Sequence, residues 1–146
     1  MITKTKTVNV FIAYANVDVD HFKAFSHHLE EMKRHNKIHV SDMHATTSEE
    51  GRGKRLDDAD MIVALITSNF LTSEQCSDVE AVAMHKHHTK SIPVVPVLLE
   101  NIDLSGTNFS ELSTLPSNGS SVSESDDQNA TFNGIVEELK EVIYNL

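Results

Sequence analysis

Apolar and polar positions along this chain fall into blocks that change period. Val8-Asn-Val-Phe-Ile-Ala-Tyr14 and Met61-Ile-Val-Ala-Leu-Ile66 are short apolar runs, too short to span a membrane and suited to strands covered on both faces. Between them Phe22, Phe25, Leu29 and Met32 recur at three- and four-residue spacing, which predicts a helix over 18–33. Ile38-His-Val40 reads as a second strand. Residues 41–53 read as a polar, glycine-bearing loop leading into a brief helical stretch over 54–59. After a turn at 67–73, Ser73 offers an N-cap to a helix running from Glu74 to about Lys86. Ile92-Pro-Val-Val-Pro-Val-Leu-Leu99 forms a fourth strand, and its prolines, which lack ladder donors, place it near the sheet edge or facing outward. Residues 117–129, rich in Ser, Asp, Gly and Asn, are expected to be a flexible surface loop. Phe132, Ile135, Val136, Leu139 and Ile143 then line the inner face of a last helix ending near Tyr144.

Strands alternating with helices predict an α/β fold, a parallel sheet with helices on both faces. The expected architecture is a flavodoxin-like three-layer sandwich of strand order 2-1-3-4, with a possible fifth strand. The whole chain, 1–146, reads as one domain with its core at about 7–144. In such sheets ligands bind beyond the carboxyl ends of the strands where the strand order reverses, here between the loops after Tyr14 and after Ile66. The helix after Ile66 carries an anomaly. At roughly 100° per residue, Cys76, Val79, Val82 and Ala83 share its apolar side, and Glu80 falls between Cys76 and Met84. A carboxylate on such an arc lines a cleft or sits at the rim of an amphipathic helix; the pattern alone admits both.

A formal net charge of -10 over 146 residues repels a free phosphate backbone and argues against nucleic-acid binding. Arg52, Lys54 and Arg55 form a compact basic cluster that suits a small anionic ligand or a solvated helix face. With Cys76 as the single cysteine no intramolecular disulfide can form, and Met1-Ile-Thr-Lys-Thr-Lys-Thr7 lacks an apolar leader core, so the expected setting is the cytoplasm, away from membranes. Nine histidines include His85 and His88 at i, i+3. Without an H-E-x-x-H or Cys/His pairing they predict surface imidazoles, and no metal site is expected.

Several segments together resemble a TIR domain of the bacterial kind. Val10-Phe-Ile-Ala-Tyr-Ala-Asn-Val-Asp18 is similar to the family's F-I-S-Y-A-x-x-D box, and Ala59-Asp-Met-Ile-Val-Ala-Leu-Ile-Thr-Ser-Asn-Phe-Leu71 to its third-strand pattern. Cys76-Ser-Asp-Val-Glu80, Ile92-Pro-Val-Val-Pro-Val97 and the Leu115-Pro116 pair fit in order and spacing. Ala13 stands where the family often has Ser, and Cys76 where many members have Trp. The loop after the second strand, residues 42–51, lacks the usual Pro-Gly.

The resemblance implies cleavage of the nicotinamide–ribose bond of NAD⁺, with Glu80 at the family's catalytic glutamate position. NAD⁺ is then the substrate and no further cofactor is required. A single acid suffices, because nicotinamide leaves as a neutral molecule and positive charge develops on the ribose, in contrast to ordinary glycosides. Candidate substrate-binding residues are Tyr14, Ala15 and Asn16 after the first strand, Ser68 after the third, Cys76 a turn before Glu80, and Arg52 and Arg55 toward the pyrophosphate. Tyr14 could stack on a ring, Asn16 and Asp18 are as well suited to helix capping, and Ser68 to a turn. The resemblance further implies homotypic TIR assembly and a cyclic-nucleotide or phage sensor in cis or trans, as in a TIR-STING fusion, for antiphage defence by NAD⁺ depletion. The end at Leu146, straight after the last helix, is compatible with such a fusion. A non-catalytic assembly or adaptor module and a nucleoside deoxyribosyltransferase-like enzyme remain as alternatives.

Overall fold

In the computed structural model of the chain, residues 7–36, 38–44, 49–116 and 121–146 are described. Four strands, β1 (Val8–Ala13), β2 (Ile38–Asp42), β3 (Met61–Ile66) and β4 (Val94–Leu98), form one parallel sheet in the order β2-β1-β3-β4. Every residue of β3 is buried, as its unbroken apolar run requires of a central strand with helices on both faces. The register sets Val10 opposite Met61 and Ile62 opposite Val94, so alternate residues of the three neighbouring strands line up into two apolar faces.

One face, with Val10, Ile12, Val63, Leu65, Val95 and Val97, packs against α1 (Val19–Asn36) and α5 (Gln128–Tyr144) through Phe25, Leu29, Phe132, Ile135 and Leu139. The other, with Phe11, Ala13, Ile62, Ala64 and Ile66, packs against α2 (Glu49–Asp57), the short α3 (Ser68–Thr72) and α4 (Glu74–Lys90). This is the α/β flavodoxin-like sandwich that the alternating pattern predicts.

β4 lies at the sheet edge, and its proline shows why. Within a strand a residue's N–H and C=O point the same way; the Pro96 carbonyl accepts the Leu115 N–H at 2.9 Å on the outer side, so its missing donor faces outward too. The Leu98 N–H completes the contact to the Leu115 carbonyl at 2.8 Å, reducing the possible fifth strand to an isolated bridge at Leu115.

Several expected boundaries are corrected. α2 begins at Glu49 rather than 54, because a helix tolerates Gly51 and Gly53 at about 1 kcal/mol each. The turn after β3 closes into α3, whose N-cap Thr67 accepts the Phe70 N–H at 3.1 Å. Ser73 caps α4 as anticipated, but α4 runs on to Lys90 and ends at Ser91 with φ 57°. The expected flexible loop over 117–129 is not one where it is described; 117–120 lie outside the described residues. Ser121 makes a capping box with Glu124 around a 3-10 turn (Val122–Glu124), buried Val122 joins the α1/α5 core, and α5 already starts at Gln128 with Asp127 as N-cap.

Candidate functional site

The loops after β1 and β3 meet at the predicted crevice, and a buried carboxylate joins them. Asp18, 6% exposed at the end of a 3-10 turn (Asn16–Asp18), accepts the Thr67 hydroxyl on one oxygen and the Asn69 amide at 3.1 Å on the other. Thr67 caps α3 with the same hydroxyl, so a single chain of hydrogen bonds fixes both loops. Ser68 follows Thr67; it is exposed, and its N–H donates to Glu100 at 2.8 Å, which ties this loop to the end of β4 as well.

Glu80 stands in the second turn of α4 on the same side of the sheet. It is 8% exposed, and its Oε1 accepts the backbone N–H of Asn108 at 2.9 Å from the segment after β4. That segment is anchored by buried Leu104 and Phe109, the latter's ring 6.2 Å from that of Phe70. The carboxylate therefore lies beneath a covering segment rather than in an open cleft. Buried Cys76 lies one turn earlier. Burial pushes its thiol pKa up; the Ser73 hydrogen bond opposes this, Asp18 and Glu80 raise it further, and the Arg52 guanidinium lowers it. Asp18, Arg52 and Glu80 thus all act on one buried thiol.

The structure divides the expected substrate-binding residues. Ala15, buried, belongs to the α4-side core with Cys76; Arg52 is half-buried beside it, and exposed Asn16 opens the first loop. Arg55 is half-buried in the last turn of α2. Tyr14 lies on the other face of the sheet. Its ring stacks on Phe22 with centroids 4.5 Å apart, its hydroxyl donates to Asp42 at 2.7 Å, and the His44 ring meets it edge to face with centroids 4.7 Å apart. Burial and the hydrogen-bonded Asp42 carboxylate drive the phenol pKa far up. As placed, Tyr14 fixes the ends of β1 and β2 instead of offering a stacking surface. Val82, expected on the apolar side of α4, is 45% exposed, since at roughly 100° per residue it falls just past the buried arc. Among the histidines, His88 pairs with Glu111 at 3.0 Å, and no three His, Cys, Asp or Glu side chains cluster as a metal site would need among the described residues.

A family profile described as TIR domain matches residues 10–131. The chain belongs to the TIR domain family. An uncharacterised protein of Sinorhizobium fredii (strain NBRC 101917 / NGR234), y4lF, is 25% identical over an alignment of 138 residues that covers 91% of this chain. The matched part is 43% of that protein, so this chain spans less than half the length of its relative. The TIR domains of the activated Roq1 resistosome, which directly recognises the pathogen effector XopQ, superpose with a TM-score of 0.62 at 14% identity. The match covers 90% of this chain and 99% of that one, a likeness of fold. No helix among the described residues of this TIR domain is long and apolar enough to cross a membrane.

The sequence pattern missed three parts of the site. By its place in the sequence Asp18 suits a helix cap, and its partners Thr67 and Asn69 stand in the other family motif. Asn108 acts through its main chain, which no side-chain pattern reveals. Lys86, 4% exposed, lies on the same buried arc of α4 that singled out Glu80, and the same angular argument would have found it.

Proposed function

We propose that this TIR domain cleaves the nicotinamide–ribose bond of NAD⁺, with Glu80 as its catalytic carboxylate. The observation that carries the reading is a buried acid, 8% exposed, on an apolar helix face, with the Asn108 main-chain N–H on one oxygen among the described residues. Keeping an acid there costs several kcal/mol relative to an apolar residue, which points to a chemical use. The anion stabilises the positive charge that develops on the ribose as the C1′–N bond breaks and its electron pair returns to the pyridine ring. Water then attacks C1′ and loses a proton to solvent, giving ADP-ribose; capture by an adenine nitrogen gives a cyclic product.

Coverage by the Asn108 segment means that substrate must meet Glu80 in a rearranged state, and self-association is the means by which we propose it is selected. In the cytoplasm, a fused or recruited sensor of cyclic nucleotides or phage would supply that clustering for antiphage NAD⁺ depletion. The same coverage favours a second reading, a TIR assembly module without catalysis.

Nicotinamide release by concentrated protein, followed by chromatography, separates the two. Glu80→Gln should lower the rate by on the order of 10²–10³ with the fold intact. Unchanged NAD⁺ at every degree of clustering would leave only the assembly module.

A further inference from the structure

Lys86 takes no part in the proposed chemistry, yet among the described residues its side chain is unusually fully bonded. Its ammonium donates to the carbonyls of Leu56 at 2.7 Å, Asp57 at 2.6 Å and Ala59 at 3.2 Å, using all three of its protons. These carbonyls end α2 and lead into β3, where the last turn of a helix leaves acceptors to be filled and its dipole favours a cation; the Leu56 carbonyl also takes the Ala59 N–H at 3.3 Å. Burial pulls the Lys86 pKa down, and the neighbouring Asp57 carboxylate pushes it back.

α2 needs such a clamp. Leu56 is its one buried side chain among the described residues, and Gly51 and Gly53 weaken the helix from within. Apolar burial alone therefore seats it poorly. α2 also carries Arg52, whose charge reaches the Cys76 thiol one turn from Glu80.

We propose that Lys86 is a positioning residue: by clamping the C-terminal end of α2 it holds Arg52 on the Cys76 side of α4, where the guanidinium takes a diphosphate oxygen of the dinucleotide. This deepens the NAD⁺ reading above and rests on it. A guanidinium suits that task because its planar fork matches two phosphate oxygens at once. Its grip depends on a helix that α4 holds from the far end.

The test compares the parent with Lys86→Met, Arg52→Ala and the double variant. Amide exchange in α2 should quicken by about tenfold or more in Lys86→Met while β1 and β3 keep their protection. ADP-ribose, the diphosphate probe, should bind about tenfold more weakly by calorimetry, and KM for NAD⁺ should rise by about as much with kcat within about twofold. The double variant should bind no worse than Arg52→Ala alone, since both changes remove one contact. Additive losses, unchanged exchange in α2, or a uniform loss of protection across the sheet would each overturn the assignment. If Lys86→Met does not fold, Lys86→Gln, which keeps two donors, is read by the same criteria. A parent that binds ADP-ribose but releases no nicotinamide removes the catalytic reading and leaves the clamp to be decided by binding and exchange. A parent that does neither removes both.

Discussion

Tyr14 illustrates how a residue expected to bind substrate can be claimed by structure first. Its hydroxyl is held by Asp42, and burial together with that carboxylate raises its pKa well above the ordinary value. A phenol kept neutral in the folded state stabilises the fold fully below the unfolded pKa of about 10, and that contribution is lost as pH rises through the folded value. Urea melts at stepped pH should therefore show a steeper fall in stability above about pH 10 for the parent than for Tyr14→Phe. The variant should cost about 1 kcal/mol at neutral pH, the usual worth of one hydrogen bond. Equal alkaline slopes would refute this account of the Tyr14 site. Cys76, fully buried with its pKa raised, should resist alkylation in native protein and react once unfolded, as mass spectrometry of iodoacetamide-treated samples can read.

At the scale of elements, the turn before α5 replaces the flexible loop that composition suggested. Val122 is 4% exposed and packs with Phe132 and Val136, so Val122→Ala should cost roughly 1–3 kcal/mol in chemical denaturation. No change in the midpoint would mean that the segment is as dispensable as its polar composition implies. The end of α4 offers an opposite case. Ser91 holds a left-handed φ of 57° that glycine adopts without penalty, so Ser91→Gly should raise stability by about 0.5–1 kcal/mol and the melting temperature with it.

For the whole molecule, covering of Glu80 by the segment around Asn108 gives the proposed activity a threshold. Because the covered carboxylate cannot touch a dinucleotide, turnover should rise with any association that favours the opened state. The specific rate of NAD⁺ loss should climb across a concentration series and climb further with a multimerising tag. A rate per molecule that is high and flat from the lowest concentration would show that the Glu80 site is reached in the monomer.

The sequence by itself determined which segments become strands and helices, most of each helix's inner face, the Ser73 cap and the place of Glu80 on its helix. Each follows from local periodicity or from short-range chemistry that a helix or strand fixes within a few residues. Only tertiary structure decided what those residues touch. Asp18 and Thr67 stand 49 positions apart and Glu80 and Asn108 28; Asp18 and Thr67 meet because a parallel sheet returns the carboxyl ends of its strands to one rim, whereas Lys86 and Ala59, 27 apart, meet at the opposite end, where α2 leads into β3. The same holds for Val122, whose burial comes from α5 and the sheet while its neighbours in sequence are polar. A lone apolar residue in a polar stretch has no periodicity of its own, so its place is set by the core that closes around it.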